Sequence, residues 1–332
     1  MRETDAARNA LLGYVADPEK FDLIFTSCGT EADNHAVFSC AKRGNAVTDA
    51  GEHAAIRSAF SELKNRGVEP RIAPVNSDGS VNTEALLRLV DEKTSFVSVM
   101  HVNNETGAVN DIRTLARLVK AKNPRAVFHS DGVQAYGKIP VRLTEEIDLY
   151  SVSAHKIGAL KGTGALMKRK KFPLSPFLYG GGQEGNLRSG TENTYGIAYF
   201  RYAAEEKFAS LSADGARLSG YREMLWELLE KPLFARLSPE NGSPYILTVS
   251  AVGLRGEVLQ RKLWDAGLAI GTGSACNSKK PHSPVLEACG WDGKTLDGAL
   301  RASFSPETTE EEIVRAAELM NAAAREMKEV TG

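Results

Sequence analysis

The sequence has few cysteines and no cluster of them, which limits both the compartment and the kinds of metal site. Four occur in 332 residues: Cys28, Cys40, Cys276 and Cys289. None forms a Cys-x-x-Cys pair, and no His/Cys spacing is typical of zinc. So few thiols in so long a chain predict a reducing, cytoplasmic setting with free cysteines. We therefore expect no metal centre.

The sequence also lacks a large net charge of either sign, and it lacks any long apolar run. The formal net charge is -1, which argues against a nucleic-acid surface or a polybasic membrane anchor. No apolar run approaches the length of a membrane span, and the first residues contain no apolar signal core. The 42% hydrophobic and 25% charged residues are ordinary for a globular protein with one large and one smaller domain. We expect no direct binding to membranes or nucleic acids.

A regular alternation of strand and helix patterns runs from about residue 20 to 170. Strands are predicted at 22–26, 45–48, 71–75, 95–102, 126–130 and 148–153, and helices at 31–43, 53–65, 83–90 and 112–122. This rhythm predicts an α/β fold with a mostly parallel sheet and helices on both faces. Ligands of such sheets bind outside the carboxyl ends of the strands. Thr30, Asn104, Asp131 and Lys156 all follow predicted strands.

The pattern changes after a long predicted helix at 194–229. A strand at 245–250, a helix at 257–266, a strand at 299–304 and an amphipathic helix at 310–329 follow. We predict a large domain at 16–209, and a smaller α+β domain formed by 1–15 and 210–332.

Lys156 is the most informative residue. It lies in Ser153-Ala154-His155-Lys156, between an apolar run and a glycine-rich turn, and Asp131 ends the preceding strand. An amine for a Schiff base and an acid for a pyridinium nitrogen are what a pyridoxal phosphate (PLP) enzyme requires. The alternatives are a solvated lysine after a strand and an acid that forms a turn.

Other residues fit the same chemistry. Gly29 and Thr30 lie between a strand and a helix, where free N–H groups can bind phosphate, although this is also an ordinary helix cap. Ser153 and His155 flank Lys156 and are candidates for the same phosphate; alternatively, His155 is a core histidine. His53 opens a predicted helix, and its ring can cover a flat cofactor and move protons.

Two further segments carry candidate substrate chemistry. Cys276 lies in Gly273-Ser274-Ala275-Cys276-Asn277, whose small and polar residues indicate an exposed, mobile loop. Lys279, Lys280 and His282 favour its thiolate, although an incidental surface cysteine is the alternative. Arg301 falls in a predicted strand, where a guanidinium either clamps a carboxylate or faces solvent.

Taken together, these segments resemble the cysteine desulfurases, the class V aminotransferase branch of fold-type-I PLP enzymes. The matching pieces occur in the family's order: 26–34, 52–53, 100–107, Asp131-x-x-Gln134, Ser153-x-His155-Lys156, 180–182, 188–191, 273–276 and Arg301-x-Ser303-Phe304. Ser-Ala-Cys on a long loop is similar to the iron–sulfur cluster group of this family. The resemblance covers the chain from about residue 5.

The resemblance implies a role for each matching residue. Lys156 would hold PLP and move protons, His53 would stack on the ring, and Cys276 would take the sulfur as a persulfide. The other cofactor contacts would come from Gly29, Thr30, Asn104, Asp131, Gln134, Ser153, His155 and, from a partner subunit, Thr191. Asn104 and Arg301 would hold the substrate. It further implies a homodimer that converts L-cysteine to L-alanine and passes sulfur to an acceptor or scaffold protein.

The resemblance also shows departures and leaves alternatives open. Family members usually begin with some tens of residues that precede the helix resembled by 1–12, so we expect a truncated N-terminus. Cys28 stands where glycine is common, and Gly29 where alanine is. Another class V enzyme, such as a selenocysteine lyase or an aminotransferase, is one alternative. A catalytically impaired PLP-binding homologue that acts as a binding partner is the other.

Overall fold

The structure, a computed structural model, describes residues 2–272 and 282–331. These residues divide into two compact units. The larger contains 2–74, 81–102 and 110–211, and the smaller contains 75–80, 103–109, 212–272 and 282–331. In these residues, no helix is both long and apolar enough to cross a bilayer. They also hold no group of three or more His, Cys, Asp or Glu arranged to bind a metal ion.

The larger unit is built on one seven-stranded sheet. Its strands are β1 (Phe21–Thr26), β2 (Asn45–Asp49), β3 (Glu69–Ala73), β4 (Thr94–Ser98), β5 (Val127–Asp131), β6 (Leu149–Ser153) and β7 (Gly164–Arg169). Its helices are α1 (Arg2–Gly13), α2 (Gly29–Cys40), α3 (Ala54–Leu63), α4 (Thr83–Leu89) and α5 (Ile112–Lys122), and α6 (Thr194–Leu228) begins here.

The strand order is β1-β7-β6-β5-β4-β2-β3. Strands β3, β2, β4, β5 and β6 pair in parallel, whereas β7 is antiparallel to both β1 and β6. The predicted mostly parallel α/β fold is confirmed. Strand β7 was missed, because its apolar Ala165-Leu166-Met167 centre is short and follows a glycine-rich turn. The predicted strand at 95–102 ends at Ser98, although Val99 to Val102 stay buried.

Helix α1 belongs to the larger unit, so the assignment of 1–15 to the smaller domain is wrong. Leu11, Leu12 and Val15 are fully buried in the core of the larger unit. The Tyr136 hydroxyl donates a 2.7 Å hydrogen bond to the Leu11 carbonyl. Burial of these apolar side chains, rather than their distance along the chain, decides where α1 packs.

The smaller unit is an antiparallel four-stranded sheet with helices. Its strands, in the order β10-β11-β9-β8, are β8 (Phe234–Arg236), β9 (Ile246–Ala251), β10 (Gly271–Thr272) and β11 (Ala299–Ser303). Its helices are α7 (Gly256–Asp265), α8 (Pro284–Ala288), α9 (Gly293–Asp297) and α10 (Glu310–Thr331), with the end of α6. Leu247, Leu259 and Leu300 are fully buried in its own core. This is the predicted α+β architecture.

Two short segments near the middle of the sequence also belong to the smaller unit, which the prediction did not foresee. They are 75–80 and 103–109. The second is held by backbone pairing, since the Ser243 N–H donates to the Gly107 carbonyl at 2.7 Å. The Thr248 hydroxyl likewise donates to the Glu105 carbonyl. Asn104 therefore belongs to the smaller unit, although it follows a strand pattern of the larger one.

Candidate active site

The larger unit forms a tight cradle at the start of α2. A Cβ on Gly29 would lie 2.7 Å from Val133 Cγ2 and 3.4 Å from Ser153 Cβ, so three separate strand ends meet here. Cys28 is the N-cap of α2 but makes no side-chain cap hydrogen bond. The N–H groups of the first turn, with the exposed Thr30, are therefore placed to bind an anion.

His155 and Lys156 lie within a short 3-10 turn, Ala154–Ile157, that directly follows β6. Both side chains are exposed, and His155 Nδ1 lies 2.9 Å from Ser153 Oγ. Burial, followed by the positive charges of Lys156, Lys161 and Lys138, lowers the pKa of His155. The positive charges that contribute to this lowered pKa also favour a bound phosphate.

Asp131 is the last residue of β5 and is buried. Its Oδ1 accepts a 2.9 Å hydrogen bond from the Val133 N–H. Burial raises the pKa of Asp131, while that hydrogen bond and the charges of His53 and Lys156 oppose the rise. Gly132 must lack a side chain, because a Cβ there would lie 1.9 Å from the Tyr150 ring. The backbone thus holds the carboxyl at the strand end.

His53 is the N-cap of α3, as the sequence predicted for a helix start. Its Nδ1 accepts a 3.2 Å hydrogen bond from the Ala55 N–H, so the proton of the neutral ring is on Nε2. Burial, then the charges of Lys156 and Arg57, lower its pKa, whereas Asp131 raises it. The charges of Asp131 and Lys156 both act on the pKa of His53, so these three predicted residues lie within electrostatic range of one another.

Two predicted cofactor residues have different surroundings. Gln134 is buried, and its Oε1 accepts a 2.7 Å hydrogen bond from Lys138 Nζ. Thr191 is exposed and ends a glycine-rich loop that ion pairs hold in place. Arg188 makes a bidentate pair with Glu31, with Nε–Oε1 at 2.7 Å and Nη2–Oε2 at 3.1 Å.

The same loop is anchored at a second point. Glu184, with a left-handed backbone at φ 50°, pairs with both terminal nitrogens of Arg8 at 2.8 and 3.0 Å. Its Oε2 also accepts the Phe25 N–H at 2.8 Å. These anchors went unnoticed in the sequence, because the partners are more than 150 residues apart. They hold the loop that precedes Thr191 against α1, β1 and α2.

The smaller unit brings Asn104 and Arg301 together, as the prediction that both hold the substrate requires. Arg301 lies on β11, and its Nη1 donates a 2.8 Å hydrogen bond to the Asn104 carbonyl. Arg301 Nε and Asn104 Oδ1 are buried without a hydrogen-bond partner among the described residues. A buried donor and acceptor left in this state fit a polar ligand.

The cysteines divide into three groups. Cys276 lies outside the described residues. Cys289 is buried and Cys40 is half-buried. Desolvation raises the pKa of each thiol to about 12. Cys28 is half-buried at the start of α2.

Sequence reasoning missed a set of buried polar residues in the larger unit: Asp33, Asp49, Glu52, Ser98, His129 and Ser151. The signal was present, since His129 and Asp131 lie two residues apart and therefore on the same face of the predicted strand. Ser98 and Ser151 on the flanking strands are likewise polar in buried positions.

The residues of the larger unit have the chemical groups that would hold PLP. The glycine cradle with its cationic surroundings suits a phosphate, and a buried acid held at a strand end suits a pyridine nitrogen. Lys156 supplies the amine within electrostatic range of that acid.

Comparison with known proteins gives the family. The model of the class-V aminotransferases matches residues 1–315. The chain belongs to this family. A cysteine desulfurase of Sinorhizobium fredii is 36% identical over 96% of this chain and 84% of its own length. The cysteine desulfurase IscS of Photorhabdus laumondii is 35% identical over 98% and 82%. These matches place the chain among the cysteine desulfurases and confirm the resemblance seen in the sequence.

Solved structures agree with the family. A NifS-like protein superimposes with a TM-score of 0.89 at 33% identity, covering 97% of this chain and 87% of its own. DndA from Streptomyces lividans gives a TM-score of 0.78 at 32% identity, covering 91% and 87%. The class-V aminotransferases and cysteine desulfurases are in general PLP-dependent.

Proposed function

We propose that this chain is a PLP-dependent cysteine desulfurase. It converts L-cysteine and a protein thiol into L-alanine and a protein persulfide, and we assign that thiol to Cys276. The observation that carries the proposal is the convergence of Lys156, Asp131 and His53 beside the cradle at Gly29. The family of cysteine desulfurases, to which the chain belongs, supports the reaction.

PLP, when bound, supplies an electron sink that weakens bonds at the substrate carbon next to the amine. Lys156 would hold it covalently, and Asp131 would keep its ring nitrogen protonated. Gly29, Thr30, Ser153 and His155 would bind its phosphate, and Gln134 its ring oxygen. Asn104 is proposed as a contact to both cofactor and substrate.

Proton movement falls to Lys156 and His53. The hydrogen bond from Ala55 leaves the mobile proton of His53 on Nε2. Its lowered pKa keeps the ring neutral near pH 7, so it can both give and take a proton. Arg301, with Nε free of a partner among the described residues, would clamp the substrate carboxylate.

The sulfur step balances without an external oxidant. The Cys276 thiolate attacks the substrate sulfur, an S–S bond forms and the C–S bond breaks. The carbon gains a proton, so that cysteine and a thiol become alanine and a persulfide. The persulfide would then pass to an acceptor or scaffold protein for iron–sulfur cluster or thio-cofactor synthesis in the cytoplasm.

We further propose a homodimer in which Thr191 completes the phosphate site of the partner. Thr191 is exposed, and four exposed tyrosines lie near it in the sequence: Tyr179, Tyr195, Tyr199 and Tyr202, each 57% to 84% exposed. Tyrosines at this helical spacing on α6 are typical of interface residues. Sedimentation of Tyr199→Asp should show monomers with weaker PLP binding. A monomeric wild type that holds PLP tightly would refute the dimer.

One experiment tests the reaction. The purified protein is exposed briefly to L-cysteine, and alanine, sulfide and the mass of the Cys276 peptide are measured. We expect one added sulfur on that peptide, and its loss in Cys276→Ser with PLP still bound. Cys28→Ser is the matched control and should retain the added sulfur. Alanine formation unchanged in Cys276→Ser would contradict the assignment, and absence of both products would indicate an impaired homologue.

A further inference from the structure

Glu31 is an acidic side chain in the first turn of α2, beside the proposed phosphate site. The helix begins after Cys28, whose side chain makes no cap hydrogen bond. Among the described residues, no hydrogen bond uses the N–H groups of Gly29, Thr30 or Glu31. A glutamate at the third helical position commonly folds back toward free N–H groups at the helix start. The carboxylate of Glu31 can therefore compete with a phosphate for these N–H groups.

Two contacts engage the Glu31 carboxylate and leave those N–H groups free. Its Oε2 accepts a 2.8 Å hydrogen bond from the Ser27 N–H. Arg188 makes the bidentate pair described above, and the side chains of Glu31 and Arg188 are only 11% and 19% exposed. Burial acts to raise the pKa of Glu31, but hydrogen bonds from Arg188 and Ser27 outweigh burial and lower that pKa. Glu31 is therefore charged near neutral pH, and Arg188 compensates its charge.

The start of α2 attracts an anion more strongly when the charge of Glu31 is compensated. The aligned peptide dipoles of a helix give its N-terminus roughly half a positive charge. An uncompensated carboxylate in the first turn would outweigh that half charge, whereas a carboxylate paired with Arg188 adds almost no net charge. Three lysines also contribute positive charge at His155, so loss of the pair should weaken phosphate binding without abolishing it.

The second anchor of the same loop provides an internal comparison. Glu184 accepts two hydrogen bonds from Arg8 and one from the Phe25 N–H, and its side chain is 3% exposed. Like Glu31, it is a shielded carboxylate held by a bidentate arginine and one backbone N–H. Glu184, however, lies in the loop and not in the first turn of α2. Anchoring the loop therefore does not require an acid at the start of α2.

We propose that the Arg188–Glu31 pair positions the phosphate site, because Arg188 neutralises Glu31 and keeps its carboxylate from the N–H groups that would bind the phosphate. Both are positioning residues, since neither is assigned a contact with the cofactor. The inference rests on the proposed function, because the anion in question is the phosphate of PLP. It also links this site to the loop that leads to Thr191, since Arg188 belongs to that loop.

The test measures the affinity of the PLP-free chain for inorganic phosphate and for PLP. Relative to the wild type, the net charge of the pair falls by one in Arg188→Met, rises by one in Glu31→Gln and is unchanged in the double variant. We expect Arg188→Met to bind phosphate at least about tenfold more weakly, because one charge is left uncompensated near the anion. Glu31→Gln should bind phosphate more tightly than the wild type. The double variant should recover most of the loss.

Arg8→Met is the matched control, because it breaks the second anchor without changing the charge in the first turn of α2. Its Tm should fall, as in Arg188→Met, since each leaves a shielded carboxylate without its cation. Its affinity for phosphate should nevertheless stay close to that of the wild type. Pyridoxal, which lacks the phosphate group, should bind to all variants alike. Thermal unfolding without ligand shows whether each variant is folded.

Recovery in the double variant separates this role from loop anchoring, because Arg188 is still absent there. Equal phosphate affinity in the wild type and Arg188→Met, or no recovery in the double variant, would overturn the inference. If Arg188→Met does not fold, an affinity that fails to increase in Glu31→Gln would overturn it instead. A wild type that binds neither phosphate nor PLP would overturn this inference and the proposed function together. A chain that binds PLP but forms no alanine would refute only the desulfurase reaction.

Discussion

The two ends of the strands in the seven-stranded sheet differ in how the charges of their acidic side chains are compensated. We call the side of the sheet where the parallel strands begin the amino edge, and the side where they end the carboxyl edge. At the amino edge, Asp148 pairs with Lys120 and Arg169 and accepts the Phe128 N–H. At the carboxyl edge, Asp131 has the Val133 N–H and the more distant charges of His53 and Lys156.

The pKa directions show the same contrast. The Arg71 guanidinium at 2.7 Å, and then Asn45, lower the pKa of Asp91 at the amino edge. At the carboxyl edge, burial raises the pKa of Asp49 to about 7. The acids of the amino edge are compensated by cations, whereas those of the carboxyl edge are poorly compensated, a pattern that is common at functional sites.

The largest effect should come from Lys156, which tests whether the carboxyl edge is the reactive one. Lys156→Ala should reduce alanine formation by at least about 10³-fold, because it removes both the covalent attachment and a proton carrier. Borohydride reduction followed by mass spectrometry should find no PLP attached to the chain. Lys161→Ala, an exposed neighbour in the following turn, should retain it. Equal trapping in Lys156→Ala would exclude Lys156 as the Schiff base.

Two substitutions that neutralise an acid, one at each edge, test the comparison of the two edges. Asp148→Asn should destabilise the fold by about 3–5 kcal/mol, because a buried ion pair loses one member. Asp131→Asn should leave the free energy of unfolding unchanged or higher, since it removes a poorly compensated buried charge, while activity is lost. Urea unfolding near pH 7 and an alanine assay measure the two effects. A similar loss of stability in both variants would contradict the contrast.

A moderate effect is expected in the smaller unit, outside the sheet edges. Arg301→Lys keeps the charge but loses the bidentate fork, so the KM for L-cysteine should rise about tenfold with a smaller change in kcat. Arg315→Lys, on the exposed side of α10, is the control. An unchanged KM would mean that Arg301 does not hold the substrate carboxylate.

The smallest effect should follow a methyl group added to the cradle. Gly29→Ala places a Cβ 2.7 Å from Val133 Cγ2, and we expect a destabilisation of about 1–3 kcal/mol unless that side chain rotates. Val133→Ala in the same chain should recover most of the loss. Thermal unfolding of the two single variants and the double variant gives the coupling between them. Additive losses would show that the contact is not the cause.

Much of the larger unit could be predicted because its signals are local. Burial on both faces makes parallel strands read as short apolar runs, and helix periodicity separates them. The helices at 112–122 and 194–229 were predicted to within a residue of α5 and α6. Strand β7 and the place of α1 could not be predicted, because both depend on which distant surfaces the chain buries.

The sequence by itself determined the residue types and order that the proposed mechanism uses: Lys156 after one strand, Asp131 at the end of another and His53 at a helix start. These follow from local rules of strands, turns and caps. The tertiary structure alone decided that Glu52 and His129 reach Ser98 from separate elements. It also decided that Arg8 and Arg188 anchor the loop carrying Thr191. Such contacts depend on packing between distant segments, and burial then sets the charge of each group.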